Sequence, residues 1–375
     1  MRTNPDVLII GGGLAGLASA LHLSKKGLKV ILIEKNTYPK HKVCGEYISN
    51  EILPYLFWLD VDVRELRPSS ISHFEFTAQN GTTAKTKLPL GGFGISRYAL
   101  DNFLFEKATE NGCTIITDHV SHISFENDIF TVTTSEEIIS SKIVLGAYGK
   151  RSNIDQVLSR DFIAKKSPWL AVKGHYKGNF DESLVALYNF QGGYCGVSKV
   201  ENDVINICYL ADFDTFKKYK NIEEYQKTVL YKNKKLKGIF ENSTSLFEKP
   251  LTISQISFDK KEPVENHILM IGDTAGLIHP MCGNGMAMAI HSAKIASELV
   301  LDFYYGKIES RSEFEKEYIK EWKKHFSKRL FFGRVLAKAL THKNLTHIMT
   351  TIAASIPALL SFIIKQTHGR PITIE

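Results

Sequence analysis

The chain has 375 residues, 43% hydrophobic and 23% charged, with a formal net charge of +7. That is a globular composition long enough for two domains around sizeable cores, and it excludes fibrous and disordered classes. No stretch reaches the ~20 uninterrupted apolar residues that span a bilayer. Met1 to Asp6 lack the basic start and small-residue cleavage site of a secretory leader. Five cysteines (Cys44, Cys113, Cys195, Cys208, Cys282) show no Cys-x-x-Cys spacing. They argue against a disulfide framework or zinc site, and a reducing cytoplasm suits them best.

Along the chain, Asp6 to Ile10 reads as a buried strand running into Gly11-Gly12-Gly13-Leu14-Ala15-Gly16. Leu14, Leu17, Ala18, Leu21 and Leu23 then form a helical stripe ending near Gly27. Lys29 to Ile33 is a second strand, ending in Glu34 and Lys35. The whole is a β-α-β unit carrying G-x-G-x-x-G. Gly11 permits the tight turn, Gly13 lets backbone approach a pyrophosphate, and Gly16 lets the helix lie against the strand. Free N–H groups of Leu14 and Ala15 at the helix start favour phosphate. Glu34 accepts from a ribose diol and repels a 2′-phosphate. These features predict a bound dinucleotide without separating FAD from NAD.

Ser72 to Lys87 alternates weakly around Asn80-Gly81, a hairpin signal. Residues 115–140 read as short strands broken at Glu126-Asn-Asp128, and 169–210 as several more with a turn near Glu201-Asn-Asp203. Together they are expected to build one mixed sheet over the cofactor, with Tyr188, Phe190, Tyr194, Tyr209 and Phe258 as candidate pocket walls. Lys217 to Lys237 is polar and helical. The strand Ile268 to Ile271 ends at Gly272-Asp273. After His279-Pro280 come Gly283-Asn284-Gly285 and a helix from about Met286 to Leu301. Backbone donors at that helix start suit a ring that gains negative charge.

This Gly-Asp-x-Ala-Gly, Pro, Gly-x-Gly, helix pattern resembles flavoprotein monooxygenases of the para-hydroxybenzoate hydroxylase type. Geranylgeranyl reductases and flavin-dependent halogenases share the pattern. The resemblance implies FAD, held by Gly11, Gly13, Leu14, Ala15, Gly16, Glu34, Lys35, Cys44, Gly45, Arg97, Gly272, Asp273, Pro280, Gly283, Asn284, Gly285 and Met286. Arg97 belongs to an Arg-x-x-Leu helix start similar to theirs. Tyr148 stands where these proteins carry an Asp associated with the pyrophosphate and with NAD(P)H use, so the source of electrons, NAD(P)H or another reductant, stays open. Lys42-Val-Cys44-Gly45-Glu46 resembles the geranylgeranyl-reductase loop, whose Cys lies in the active site. Cys44 and His279 are the candidate catalytic residues, with plain packing as the alternative for each. The Trp-x-Trp-x-Ile-Pro segment of halogenases is missing.

The implied fold is α/β. A discontinuous Rossmann-like FAD-binding domain takes 1–70, 92–165 and 259–305. A mixed β-sheet substrate domain takes 71–91 and 166–258, and a helical C-terminal region takes 306–375. Reduction of double bonds in an isoprenoid, lipid-like or polyketide substrate is the first functional expectation. Hydroxylation of an aromatic or polyketide ring is the second, and a flavin-binding protein without turnover the third. From Arg311 to Lys343 there are ten Lys/Arg against four Glu, followed by the apolar segment Thr350 to Ile364 broken by Pro357. Docking on the body is expected there, with covering of the substrate cavity and peripheral membrane contact as the alternatives. No nucleic-acid-binding motif accompanies the charge.

Overall fold

The computed structural model describes residues 4–341 and 343–374. Met1 to Thr3, His342 and Glu375, which the leader and C-terminal readings include, lie outside them. Strand Val7–Ile10 is buried on both faces, as a central parallel strand must be, and this explains its unbroken apolar run. It pairs in parallel with Val30–Glu34 on one side and Ile143–Gly146 on the other. Thr114–Thr117 extends the first side and Ile268–Met270 the second, and the antiparallel Val264–Glu265 closes the edge. Helix α1 (Leu14–Lys25) packs against α2 (Arg97–Glu110) and α3 (Gly285–Tyr304).

The second sheet has nine strands. Its main path runs Ser243–Ser245, Trp169–Gly178, Ile205–Asp212, Gly193–Lys199, Leu184–Phe190, Ser69–Thr77, Thr83–Gly94, Tyr47–Ser49. Leu251–Ser254 pairs with Trp169–Gly178 off this path. Leu184–Phe190 runs parallel to Ser69–Thr77, and every other pairing in this sheet is antiparallel. The expected hairpin forms, with Gly81 in the left-handed region at φ +90°. Strand Tyr47–Ser49 lies inside the 1–70 segment, yet it pairs with Gly92–Gly94 of the substrate sheet.

The strands expected between 115 and 140 do not join that sheet. His122–Glu126, Ile129–Thr133 and Ile138–Ser141 form a separate three-stranded antiparallel sheet. Asn127 and Asp128, both at positive φ, make its tight turn. Phe130 and Val132 bury their side chains in the cofactor-domain core, which ties this small sheet to that domain.

Three helices follow at the C-terminal end: α4 (Arg311–Thr341), α5 (Lys343–Ser355) and α6 (Pro357–Thr367). α4 packs on α3, while α5 and α6 lie over strand Thr83–Gly94. There Ala353, Leu360 and Ile364 meet Ile71, Ala84 and Leu88 in a small core of their own. The buried Glu51 ties the end of the chain down. Its carboxylate accepts from Gly369 N at 2.6 Å and Arg329 Nη1 at 3.1 Å, and its carbonyl accepts from Ile372 N at 2.8 Å.

Candidate active site

A cavity of about 870 Å³ lies between the two sheets and runs under α5 and α6. One end is built from backbone. Gly11 has φ +107°, and a Cβ there would collide with the carbonyl of Ala147; a Cβ on Gly16 would overlap the carbonyl oxygen of Gly11. Gly16 is therefore the helix-to-strand contact and does not face the cavity. Gly13 and Gly45 are different. Both line the cavity, and a Cβ would meet only Arg97 Nη2 at 3.7 Å in the first case and nothing within 4 Å in the second. Protein packing does not require glycine at either place. Space for a bound group does, as a pyrophosphate drawn close to the backbone would need.

Other predicted residues converge on the same end. Leu14, Ala15, Glu34, Lys35, Cys44, Arg97, Gly272, Asp273, Pro280, Gly283, Gly285 and Met286 all line the cavity. Glu34 accepts from Gly12 N at 2.7 Å and Asn36 N at 3.0 Å, which aims the carboxylate across the glycine turn. Arg97 is forked onto Asp101 at 2.6 and 2.8 Å, and Lys42 reaches the same carboxylate at 2.9 Å. Burial would raise the Asp101 carboxyl, but Arg97 and Lys42 outweigh it and hold it below the usual range. The cations are thereby fixed in place at a site that must hold phosphates. Neither α1 nor α3 has a side-chain cap, so their first N–H groups stay free for a ligand. The residues present thus suit FAD.

The loop 44–46 is clamped from the substrate sheet. Asn206 donates to the carbonyls of Cys44 and Gly45 at 3.2 and 2.9 Å. Lys173 donates to the carbonyl of Lys42 at 3.1 Å and pairs with Glu46. Glu46 also receives His175 Nε2 at 2.7 Å and Arg97 N at 2.7 Å, and it holds a left-handed φ of 54°. Burial raises the Glu46 carboxyl, yet the His175 hydrogen bond and the Lys173 ammonium hold it below its usual value. Cys44 is half-buried on the cavity wall, its sulfur 3.5 Å from that of Met286. Lys173, His175 and Asn206 carried no motif, so only their shared inward face on two paired strands reveals them.

Three sequence expectations need correction. His279 is not on the cavity wall. Its ring is buried 4.4 Å from that of Phe258, with Tyr194 and Trp169 around it, and burial pushes its pKa down to about 3. Burial favours its neutral form, and its Nδ1 lies 3.4 Å from the hydroxyl of Tyr194, which places the ring behind that cavity residue. Asn284 turns away from the cavity and donates to the carbonyl of Thr367 at 2.9 Å, anchoring α6. Among the proposed walls, Tyr194 and Tyr209 border the cavity, while Tyr188, Phe190 and Phe258 do not. Alternation along Leu184–Phe190 explains two of these: Ala186, Tyr188 and Phe190 enter the core on the opposite face, leaving Val185 and Leu187 toward the cavity.

Tyr148 lines the cavity, its hydroxyl 3.3 Å from the sulfur of Met270, and Gly149 N donates to Thr274 Oγ1 at 2.8 Å. Sequence reading named no wall residue of the far end, although covering the cavity was one of its expectations for the C-terminal segment. Phe74, Phe76, Ala84 and Leu88 come from one hairpin, and Met349, Thr350, Ala353, Leu360, Ile363 and Ile364 from α5 and α6. This end is an apolar chamber directly continuous with the glycine-lined cleft.

Similar proteins span several chemistries. Digeranylgeranylglycerophospholipid reductase of Methanococcus vannielii is 23% identical, over 94% of this chain and 90% of that protein. The ubiquinone hydroxylase UbiM of Neisseria meningitidis is 22% identical, over 80% and 70%. Among solved structures, the flavin-dependent brominase Bmp2 superposes with a TM-score of 0.80 at 18% identity, covering 97% of this chain and 93% of that one, which speaks for the fold alone. The family model described as FAD binding domain matches residues 4–311. The chain belongs to that family and is an FAD-dependent oxidoreductase.

Proposed function

We propose that this oxidoreductase reduces carbon–carbon double bonds in a long apolar substrate, isoprenoid or lipid-like. The single observation behind this reading is the continuity of the cavity: the glycine-lined cleft opens, past Cys44, into a chamber walled by Phe74, Phe76, Leu88, Val185, Leu187 and the inner faces of α5 and α6. A charged or small polar substrate would leave such walls unsatisfied. The likeness to a lipid reductase over almost the full chain supports the same reading.

Bound FAD supplies a hydride when reduced, with NAD(P)H or another reductant as the source of electrons. The protein's own residues do the rest. Gly13 and Gly45 leave room beside the backbone, and Arg97, steadied by Asp101, with Lys42 offsets phosphate charge. Asn206, Lys173 and Glu46 hold the Cys44 loop at the junction of cleft and chamber. The apolar walls exclude water and align the chain of the substrate. The proton that completes the addition comes from Cys44 or from a water at the junction.

A second reading is hydroxylation of an aromatic or polyketide ring, supported by the likeness to a ubiquinone hydroxylase, since the same dry chamber would serve it. Anaerobic reduction of the purified flavoprotein, followed by a prenylated lipid, separates the two. Reoxidation of the flavin without oxygen, with loss of a double bond, is expected. Flavin that stays reduced until oxygen enters, then yields a hydroxylated product, would replace the first reading with the second. In the same assay Cys44→Ala is expected to keep its flavin and lose about 100-fold in turnover if the thiol is the acid; full turnover hands the proton to water.

A further inference from the structure

Helix α5 exposes an apolar row beside its polar His347, Thr351 and Ser355. Thr346, Thr350 and Ala353, spaced four and three apart, face inward and are buried. Leu345, Ile348 and Ile352 repeat at three and four on the outward face, and Ile356 continues the row. Ile348 is 54% exposed and Phe362 of α6 is 58% exposed. Phe331 and Val335, one turn apart near the end of α4, are exposed as well. A helix on a water-facing surface normally turns its polar side out. Scattered exposed apolar residues need no explanation, but a periodic row of them on the roof of a chamber does.

The charge around this row identifies what covers it. From Trp322 to Ile374 the sequence holds nine Lys/Arg and no Asp or Glu. Lys328, Arg334, Lys365 and Arg370 are exposed there. Two copies of such a face would repel each other, so self-association is disfavoured. An apolar row in a segment whose charged side chains are all basic is the pattern that an anionic lipid headgroup layer complements. The helices are committed to the protein on their other side, because Ala353, Leu360 and Ile364 pack on the sheet. The segments Leu345–Ser355 and Ala358–Thr367 meet at 115°, and among the described residues no single helix is long and apolar enough to cross a membrane.

We propose that the outward faces of α5 and α6, with the end of α4, seat the protein on an anionic membrane surface, so that the roof of the apolar chamber rests in the headgroup layer. This docking rests on the surface alone and holds whichever reaction the chamber hosts.

The test uses the full-length holoprotein and co-sedimentation with phosphatidylcholine vesicles, with and without phosphatidylglycerol. Binding is expected only to the anionic vesicles, weakening as salt is raised. The triple variant Ile348→Ser, Ile352→Ser, Phe362→Ser should bind at least about tenfold more weakly. Its flavin absorbance and thermal midpoint report whether it is folded. Lys328→Gln with Arg334→Gln, which changes no apolar residue, should cost about fivefold per charge. Equal binding to both vesicle types, or no loss in either variant, overturns the proposal. A concentration-dependent dimer in sedimentation velocity that the triple variant abolishes also overturns it, by giving the face to a second copy. Because the assay reads lipid and not turnover, its failure is distinguishable from failure of the reductase reading.

Discussion

The two ends of one cavity are specified in different ways. At the cleft, the constraint lies on the backbone: Gly11 at φ +107°, Gly16 against the Gly11 carbonyl, and Gly13 and Gly45 facing open space. Such demands can be met by one residue type, so they leave a mark in the sequence. In the chamber the constraint lies on side-chain bulk and polarity, contributed by Phe74, Leu88, Leu187 and Leu360 from elements hundreds of residues apart. Many apolar residues satisfy it, and each looks like ordinary core. The dinucleotide cleft is accordingly written locally, and the substrate chamber is distributed.

The sharpest way to break that contrast is Gly16→Ala. The new methyl has no room beside the Gly11 carbonyl, so the turn that carries the phosphate-facing N–H groups must move. We expect loss of bound flavin, seen as loss of visible absorbance, together with destabilisation of about 3 kcal/mol in urea unfolding. A Gly16→Ala protein that purifies yellow with unchanged stability would show that the turn is not under backbone constraint.

Between the two ends lies the clamp on loop 44–46, and Lys173→Met probes it. Lys173 and Glu46 are both fully buried. Removing the ammonium leaves a buried carboxylate with only His175 and one backbone N–H, which should cost about 3–5 kcal/mol. Adding Glu46→Gln to the same protein removes the uncompensated charge and should recover most of that loss. The pH dependence has a definite sign. The native Glu46 carboxyl is held below its usual value, so its contribution is present above the unfolded-state pKa and is lost as pH falls below about 4.5. Lys173→Met should weaken that acid-side contribution, leaving the part that comes from His175. A double variant no more stable than the single one would mean the clamp works through packing and not through charge.

How much was legible follows the same division. The β-α-β unit, the second glycine cluster and the Asn80-Gly81 hairpin were readable, because turns and glycine spacing are local requirements, and Arg97 was singled out by the family resemblance alone. Asn206, Lys173 and His175 were not, because their role exists only once two paired strands face the Cys44 loop. Tyr188 and Phe190 were misassigned as walls by composition, when alternation from Leu187 would have sent them to the other face. The strands of 122–141 were placed in the wrong sheet, because alternation gives a strand's faces and not its neighbours.

His279 marks the point where proximity in sequence misleads most. It precedes Pro280 in the loop that lines the cleft, and a histidine there invites a role in proton transfer. Its ring instead packs among Phe258, Trp169 and Tyr194, and burial lowers its pKa to about 3 against 6.5 unfolded. The unfolded chain therefore binds a proton that the folded one refuses between those values, and stability falls as pH drops from 6.5 toward 3. His279→Phe deletes that proton. Relative to its effect at pH 7, the variant should gain about 2 kcal/mol at pH 5, measured by urea unfolding at the two pH values. Turnover and its pH profile should not change, since the side chain does not reach the cavity. If stability gains nothing at pH 5 while the turnover profile shifts, the ring titrates in contact with the reacting groups, and the separation drawn here between core and cleft fails at that residue.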